Sequence, residues 1–85
     1  MTNVLLSADG DVKVYAVPDA VARNLESICL EFSSGGGCFD EVDFIEWLNK
    51  YRYPYEKAVY VENLGWIQEE TDLPPKYRDC QWFNF

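Results

Sequence analysis

The stretch Val4–Asp19, with the sequence VLLSADGDVKVYAVPD, decides the fold. A turn containing Asp9 and Gly10 separates the apolar run Val4–Leu6 from the alternating segment Val12–Val17. An Asp-Gly turn between apolar and β-branched segments is a strong hairpin signal. A proline and an aspartate follow directly, and both suit the first turn of a helix. The stretch therefore predicts a β-hairpin that leads at once into a helix.

Two amphipathic helices are predicted after the hairpin. In the first, apolar side chains recur with helical spacing at Val21, Leu25, Ile28, Cys29 and Phe32. A Ser-Ser-Gly-Gly-Gly run at 33–37 ends it. The second is expected from about Glu41 to Lys50, with Asp40 as the N-cap and Phe39 and Phe44 as a hydrophobic staple.

The remaining segments complete a small sheet. Residues 57–62 read as a strand, and the aromatic tail at 81–85 reads as an edge strand. The order of elements predicts a single domain over 1–85 of the α+β class. Its sheet is expected to be antiparallel, formed by the N-terminal hairpin plus one or two later strands, with two helices packed on one face.

Charge narrows the range of partners. The chain has 85 residues with 15 acidic and 7 basic side chains, and most of the net charge of −8 falls within residues 1–49. Such a field repels nucleic-acid phosphates and favours a basic protein partner. No apolar run approaches the length of a membrane span and no cleavable leader is visible, so we expect no membrane association and a cytoplasmic location.

The residue types that are missing argue against catalysis. The sequence contains no histidine, which removes the commonest general base and the Ser-His and Cys-His pairs. Cys29, Cys38 and Cys80 match no zinc template. We therefore predict a protein that is not an enzyme and binds no cofactor or metal. The competing hypothesis is an enzyme that uses Cys38 as a nucleophile, or a divalent metal held by the carboxylates of the second helix.

The second helix carries the candidate functional face. Carboxylates recur every three residues along it, and a helical wheel assigns Val42, Ile45 and Leu48 to the buried side. Aromatic side chains lie beside the carboxylates on the other side. The predicted partner-binding residues are Asp40, Asp43, Phe44, Glu46, Trp47 and Tyr51.

This pattern leads to a functional hypothesis. Tryptophan and tyrosine are enriched at interface hot spots, and an acidic rim selects basic partners. We predict a non-catalytic acidic module that presents this face to a basic protein partner. One variant is an inhibitor or antitoxin-like protein that mimics nucleic acid. The opposing interpretation is that the aromatic tail folds back and covers Trp47. A further alternative is a homo-oligomer, in which the basic, tyrosine-rich segment 50–57 docks on another copy's acidic helix.

Several aromatic segments resemble those of a known group of proteins. These segments are Leu64–Ile67, Leu73–Tyr77, Cys80–Phe85 and Val14–Asp19. They look like parts of a set of small acidic bacterial proteins of unknown function. The resemblance implies a bacterial, cytosolic origin, but it implies no activity and carries over no functional residues.

Overall fold

A computed structural model of the chain describes residues 1–34 and 39–85. It contains a four-stranded sheet in the order β3-β2-β1-β4. The strands are β1 Thr2–Ser7, β2 Val12–Val17, β3 Val59–Gly65 and β4 Trp82–Asn84. The predicted α+β class is therefore confirmed, with two later strands added to the hairpin. The predictions made for Cys38 and for the glycine run lie outside the described residues.

The N-terminal hairpin forms as predicted. β1 and β2 pair antiparallel, with Leu5 opposite Val14. Asp9 adopts φ 55° in the turn between them, a left-handed conformation that aspartate tolerates better than most residues. The Asp9-Gly10 pair predicted this turn correctly, because aspartate and glycine are residue types that a tight reversal of the chain favours.

The first predicted helix is broken in two. It comprises α1, Asp19–Arg23, and α2, Leu25–Ser33. Asn24 separates them with φ −122°, and its side-chain amide donates to the Ala20 carbonyl at 3.0 Å. Asparagine offers the backbone a hydrogen bond that competes with helix continuation, which explains the break. The apolar spacing persists across it, so both pieces still bury one common face.

The second predicted helix forms and then changes type. It comprises α3, Glu41–Trp47, followed by a π-helical turn over Leu48–Arg52. The Tyr53 amide donates to the Leu48 carbonyl at 2.8 Å, an i→i+5 hydrogen bond. Helix and turn together extend two residues beyond the expected end at Lys50.

Both faces of the sheet are covered. The helices pack on one face and bury Val4, Leu6, Tyr15, Val17, Val21, Ala22, Leu25, Ile28, Cys29, Phe44, Ile45, Leu48 and Ala58. On the opposite face, Leu73 and Tyr77 from the C-terminal segment cover Leu5, Val12 and Val14. The expectation of helices on one face is confirmed, and the other face is covered by the C-terminal segment with its short 3-10 helices Glu70–Asp72 and Pro75–Tyr77.

The last strand makes the sheet mixed. β4 pairs parallel to β1, whereas the sequence predicted an antiparallel sheet throughout. The chain leaves β3 at one edge, crosses the second face and returns at the opposite edge beside β1, and a crossing of this kind permits a parallel pairing. Hydrogen bonds from Ser7 Oγ and from the Asp9 amide to Asn84 Oδ1, at 2.8 and 2.9 Å, fix β4 to the hairpin.

The helical wheel was wrong about two side chains of α3. Phe44, placed on the exposed strip, is fully buried, and Val42, placed in the core, is 42% exposed. Glu41 takes a buried position through an ion pair, so the buried arc is centred about 50° from where apolar residues alone would put it. Burying the large phenyl ring removes more apolar surface from water than burying the smaller valine.

In the described part of the chain, no helix is both long and apolar enough to cross a bilayer.

Candidate partner-binding site

A reciprocal capping box sets the start of α3. Asp40 Oδ1 accepts from the Asp43 amide at 3.0 Å, and Asp43 Oδ2 accepts from the Asp40 amide at 3.3 Å. The motif satisfies backbone donors that a helix N-terminus otherwise leaves unpaired. Asp40 and Asp43, two of the three carboxylates predicted to line one side of the helix, therefore also stabilise the start of α3. Glu46, one turn further on, stays exposed.

An ion pair anchors the same helix to the sheet. Lys13 Nζ on β2 lies 2.9 Å from Glu41 Oε1, and the Glu41 side chain is 8% exposed. The hydrogen bond from this ammonium to the carboxylate raises the pKa of Lys13. The pair fixes the rotation of α3 about its axis, and thereby decides which side chains of the helix reach solvent.

An aromatic cluster supports the exposed side of α3. The Trp47 ring centroid lies 5.3 Å from that of Phe32 and 6.0 Å from that of Phe44. The Phe39 ring packs against the Phe32 ring, with 4.7 Å between the two centroids. The Phe85 ring contacts Phe32 and Phe44, at 6.2 and 5.3 Å. The aromatic tail therefore supports the cluster from the core side, since Phe32 and Phe44 contact both Phe85 and the half-buried Trp47.

Cationic side chains of the chain itself lie against these rings. The Arg52 guanidinium stands 5.7 Å from the Trp47 ring centroid and pairs with Glu31. Lys50 Nζ lies 5.2 Å from the ring centroid of Tyr51, whose side chain is 65% exposed. An α-helix would place position i+5 about 140° away from position i. The i→i+5 turn explains why Arg52 can reach the residue five positions before it.

An open groove of about 380 Å³ lies over this cluster. It is lined by Phe32, Phe39, Asp43, Glu46, Trp47, Lys50 and Tyr51. Four of the six predicted partner-binding residues belong to this lining. Asp40 lies beside it at the N-cap, whereas the buried Phe44 forms part of the support underneath. We call the seven lining residues the acidic-aromatic groove.

Three lining residues were not predicted as part of the site. Phe32 was assigned to the core of the first helix, Phe39 to a staple and Lys50 to a helix end. The regular spacing of Phe32 with the buried residues of α2 concealed its second role, because spacing cannot show that the ring extends past the core edge. A signal was present at Phe39, since a residue just before an N-cap lies next to the first turn of its helix.

The described thiols are poor nucleophiles. Burial raises the pKa of Cys29 to about 12, and burial together with Asp79 raises the pKa of Cys80. The third cysteine lies outside the described residues. Within residues 1–34 and 39–85, no group of three His, Cys, Asp or Glu side chains is arranged to hold a metal ion.

Comparisons with known proteins find no relative. No family model, no curated protein and no solved structure matches the chain. The geometry and charge of the groove are therefore the basis for assigning a function.

Proposed function

We propose that the chain is a small non-catalytic module that binds an arginine- or lysine-rich segment of a basic partner protein in the acidic-aromatic groove. The observation that carries this proposal is the meeting of Trp47 and Tyr51 with the carboxylates of Asp43 and Glu46 in one open groove. An aromatic surface with negative neighbours suits a cationic side chain, because its stem packs on the rings while its charge faces the carboxylates.

The contacts within the chain illustrate this chemistry. The groove rings already attract the two cations within their reach, Arg52 at Trp47 and Lys50 at Tyr51. Both contacts are made by long side chains from the helix end, and the Arg52 contact is partly exposed. Because exposed contacts of this kind contribute little stability, a partner's arginine could displace Arg52 at low cost.

The charge of the whole chain supports the same type of partner. A net charge of −8 on 85 residues attracts a basic protein over a range set by the Debye length, and this attraction speeds encounter. The field also disfavours acidic competitors. We therefore expect binding that weakens as salt concentration rises.

Calorimetric titration with a defined probe tests the proposal. The probe is a synthetic peptide of alternating arginine and glycine, with the matching glutamate-glycine peptide as a control. We expect binding of the arginine peptide alone, and a Trp47→Ala variant should bind it about tenfold more weakly. Trp66→Ala is the matched control, because Trp66 is a tryptophan 62% exposed outside the groove.

A charge-reversal pair keeps the test valid if the tryptophan variant folds poorly. Glu46→Lys removes an exposed groove carboxylate, and Glu70→Lys makes the same change on an exposed glutamate outside the groove lining. We expect the first to weaken binding clearly more than the second at about 50 mM salt. Equal losses for both variants, or equal binding of the two peptides, would refute a specific groove.

A further inference from the structure

Aromatic side chains form most of the acidic-aromatic groove. Four of its seven lining residues carry rings, and three of these rings form a continuous wall, since the Phe32 centroid lies 4.7 Å from that of Phe39 and 5.3 Å from that of Trp47. The fourth ring, on Tyr51, extends the lining beyond this wall. Two carboxylates and one ammonium complete the groove. Rings therefore provide most of the surface that a bound group would contact.

The groove has room for one side chain rather than for a helix or a strand. Its volume of about 380 Å³ is near the lower limit of small-ligand pockets, which range from about 300 to 1,000 Å³. Because the groove is open, the backbone that carries the bound side chain can continue along the protein surface. A basic partner would therefore enter it with a single cationic side chain.

Hydrogen-bonding capacity distinguishes the cations that this surface suits. A lysine ammonium has three N–H donors and an arginine guanidinium has five, and each donor needs an acceptor when it leaves water. The ring faces supply no strong acceptor, and Asp43 already uses one carboxylate oxygen to accept from the Asp40 amide. A trimethylated ammonium keeps its positive charge and has no N–H donor. It therefore loses no hydrogen bond of its own when it moves from water onto the rings.

We propose that the acidic-aromatic groove binds a trimethylated lysine side chain of the basic partner. This inference rests on the function proposed above and names the residue that the groove selects. The methyl groups pack on Trp47, Tyr51 and the neighbouring rings, which is how aromatic cages recognise quaternary ammonium groups. The carboxylates of Asp43 and Glu46 attract the positive charge, and this attraction needs no hydrogen bond.

One cation of the chain itself competes with this ligand. Lys50 lines the groove, and its Nζ lies 5.2 Å from the ring centroid of Tyr51. The Lys50 side chain is exposed, so it can turn into water when a ligand enters. Its ammonium regains hydrogen bonds to water on leaving the ring, whereas a trimethylated ammonium has none to regain. We therefore expect the trimethylated side chain to displace Lys50 from Tyr51.

NMR titration of labelled protein with three peptides tests the proposal. Each is a glycine-serine peptide with one central residue, which is lysine, trimethyllysine or the uncharged analogue of trimethyllysine with carbon in place of the ammonium nitrogen. The indole N–H signal of Trp47 reports binding in the groove. At about 50 mM salt, we expect the trimethyllysine peptide to bind about tenfold more tightly than either of the others. The uncharged analogue has the same shape, so its comparison with trimethyllysine isolates the charge.

Two matched pairs of variants locate the site. Tyr51→Ala should weaken binding of the trimethyllysine peptide about fivefold, whereas Tyr55→Ala removes a fully exposed tyrosine outside the groove and should have no effect. Lys50→Gln should strengthen binding about threefold, because it removes the competing cation. Lys57→Gln makes the same change of net charge outside the groove and should have a smaller effect. Circular dichroism checks that each variant is folded, and Tyr51→Phe, which keeps the ring, should bind like the original chain.

The outcomes separate this inference from the function on which it rests. The arginine-glycine peptide is titrated in parallel. If it binds, and trimethyllysine binds no more tightly than lysine, the inference is overturned while the proposed function stands; if no cationic peptide binds, both are overturned. Equal binding of trimethyllysine and its uncharged analogue would also overturn the inference. Free tetramethylammonium that binds as tightly as the trimethyllysine peptide would overturn the assignment to a side chain of a protein partner.

Discussion

Breaking the Lys13–Glu41 ion pair should have very unequal effects depending on which partner is removed. The Glu41 side chain is 8% exposed and the Lys13 side chain is 27% exposed. If Glu41 is replaced, the Lys13 ammonium can rotate toward the surface and be hydrated. If Lys13 is replaced, the buried Glu41 carboxylate has little access to water. Lys13→Met should therefore destabilise the fold much more than Glu41→Gln.

The magnitudes follow from burial. Removing one partner of a buried ion pair costs about 3–5 kcal/mol of unfolding free energy, and the position of Glu41 at the N-terminus of α3 keeps the cost near 3 kcal/mol. In Glu41→Gln the Lys13 ammonium that remains can be hydrated, so we expect the free energy of unfolding to fall by only about 1 kcal/mol. In a domain of this size, these losses lower the melting temperature by about 12–24 °C and 4–8 °C.

Thermal and urea unfolding of four proteins measures the effect at pH 7. The fourth is the double variant Lys13→Met/Glu41→Leu, which replaces the pair by apolar side chains and should lie within about 1 kcal/mol of the original chain. Equal losses for the two single variants would refute the reasoning, because they would show that the carboxylate is as free to hydrate as the ammonium. A double variant no more stable than Lys13→Met would refute it as well.

Three further predictions concern stability. Phe44→Ala should cost about 3–5 kcal/mol in urea unfolding, and Val42→Ala less than about 0.5 kcal/mol, because only the phenyl ring is fully buried; similar losses would contradict the observed rotation of α3. Burial raises the pKa of Cys29 from 9.0 to about 12, so the contribution of the protonated thiol to the free energy of unfolding is full below pH 9 and is lost as pH rises toward 12. Urea midpoints measured from pH 7 to 11 should therefore fall less in Cys29→Ala than in the original chain. The same pH dependence in both proteins would count against burial of the thiol. The Asn49 side chain accepts from the Ala58 N–H at 2.7 Å and donates to the Ala58 carbonyl at 3.3 Å; Asn49→Ala should cost about 1–3 kcal/mol by thermal unfolding, and Asn49→Asp should also destabilise the fold, because its carboxylate cannot donate to the Ala58 carbonyl.

The local signals in the sequence were sufficient for much of the fold. The Asp9-Gly10 turn, the apolar spacing of the first helix and the Asp40 cap each depend on neighbours in sequence, and each is found in the structure. Long-range contacts were not accessible in this way. The parallel pairing of β4 with β1 joins residues more than 75 positions apart, and no local pattern encodes it.

The candidate site was predictable in part for a related reason. Trp47 and the carboxylates share a helix, so helical spacing alone brings them together. The rotation of that helix was misjudged because a hydropathy pattern treats Glu41 as exposed, whereas Lys13 of the sheet holds it in the core. Phe32 belongs to another helix, and only the packing of α2 against α3 brings its ring to Trp47.

Resonances of the three tryptophan indole N–H groups give the most direct test of partner binding in the groove. A titration of labelled protein with the arginine-glycine peptide at about 50 mM salt follows Trp47, Trp66 and Trp82 in one spectrum. Trp47 lines the groove, and the other two serve as internal controls. We predict that the Trp47 indole signal shifts in a saturable manner while the other two stay in place. A Trp47 signal that remains fixed, or equal shifts of all three signals, would contradict the account.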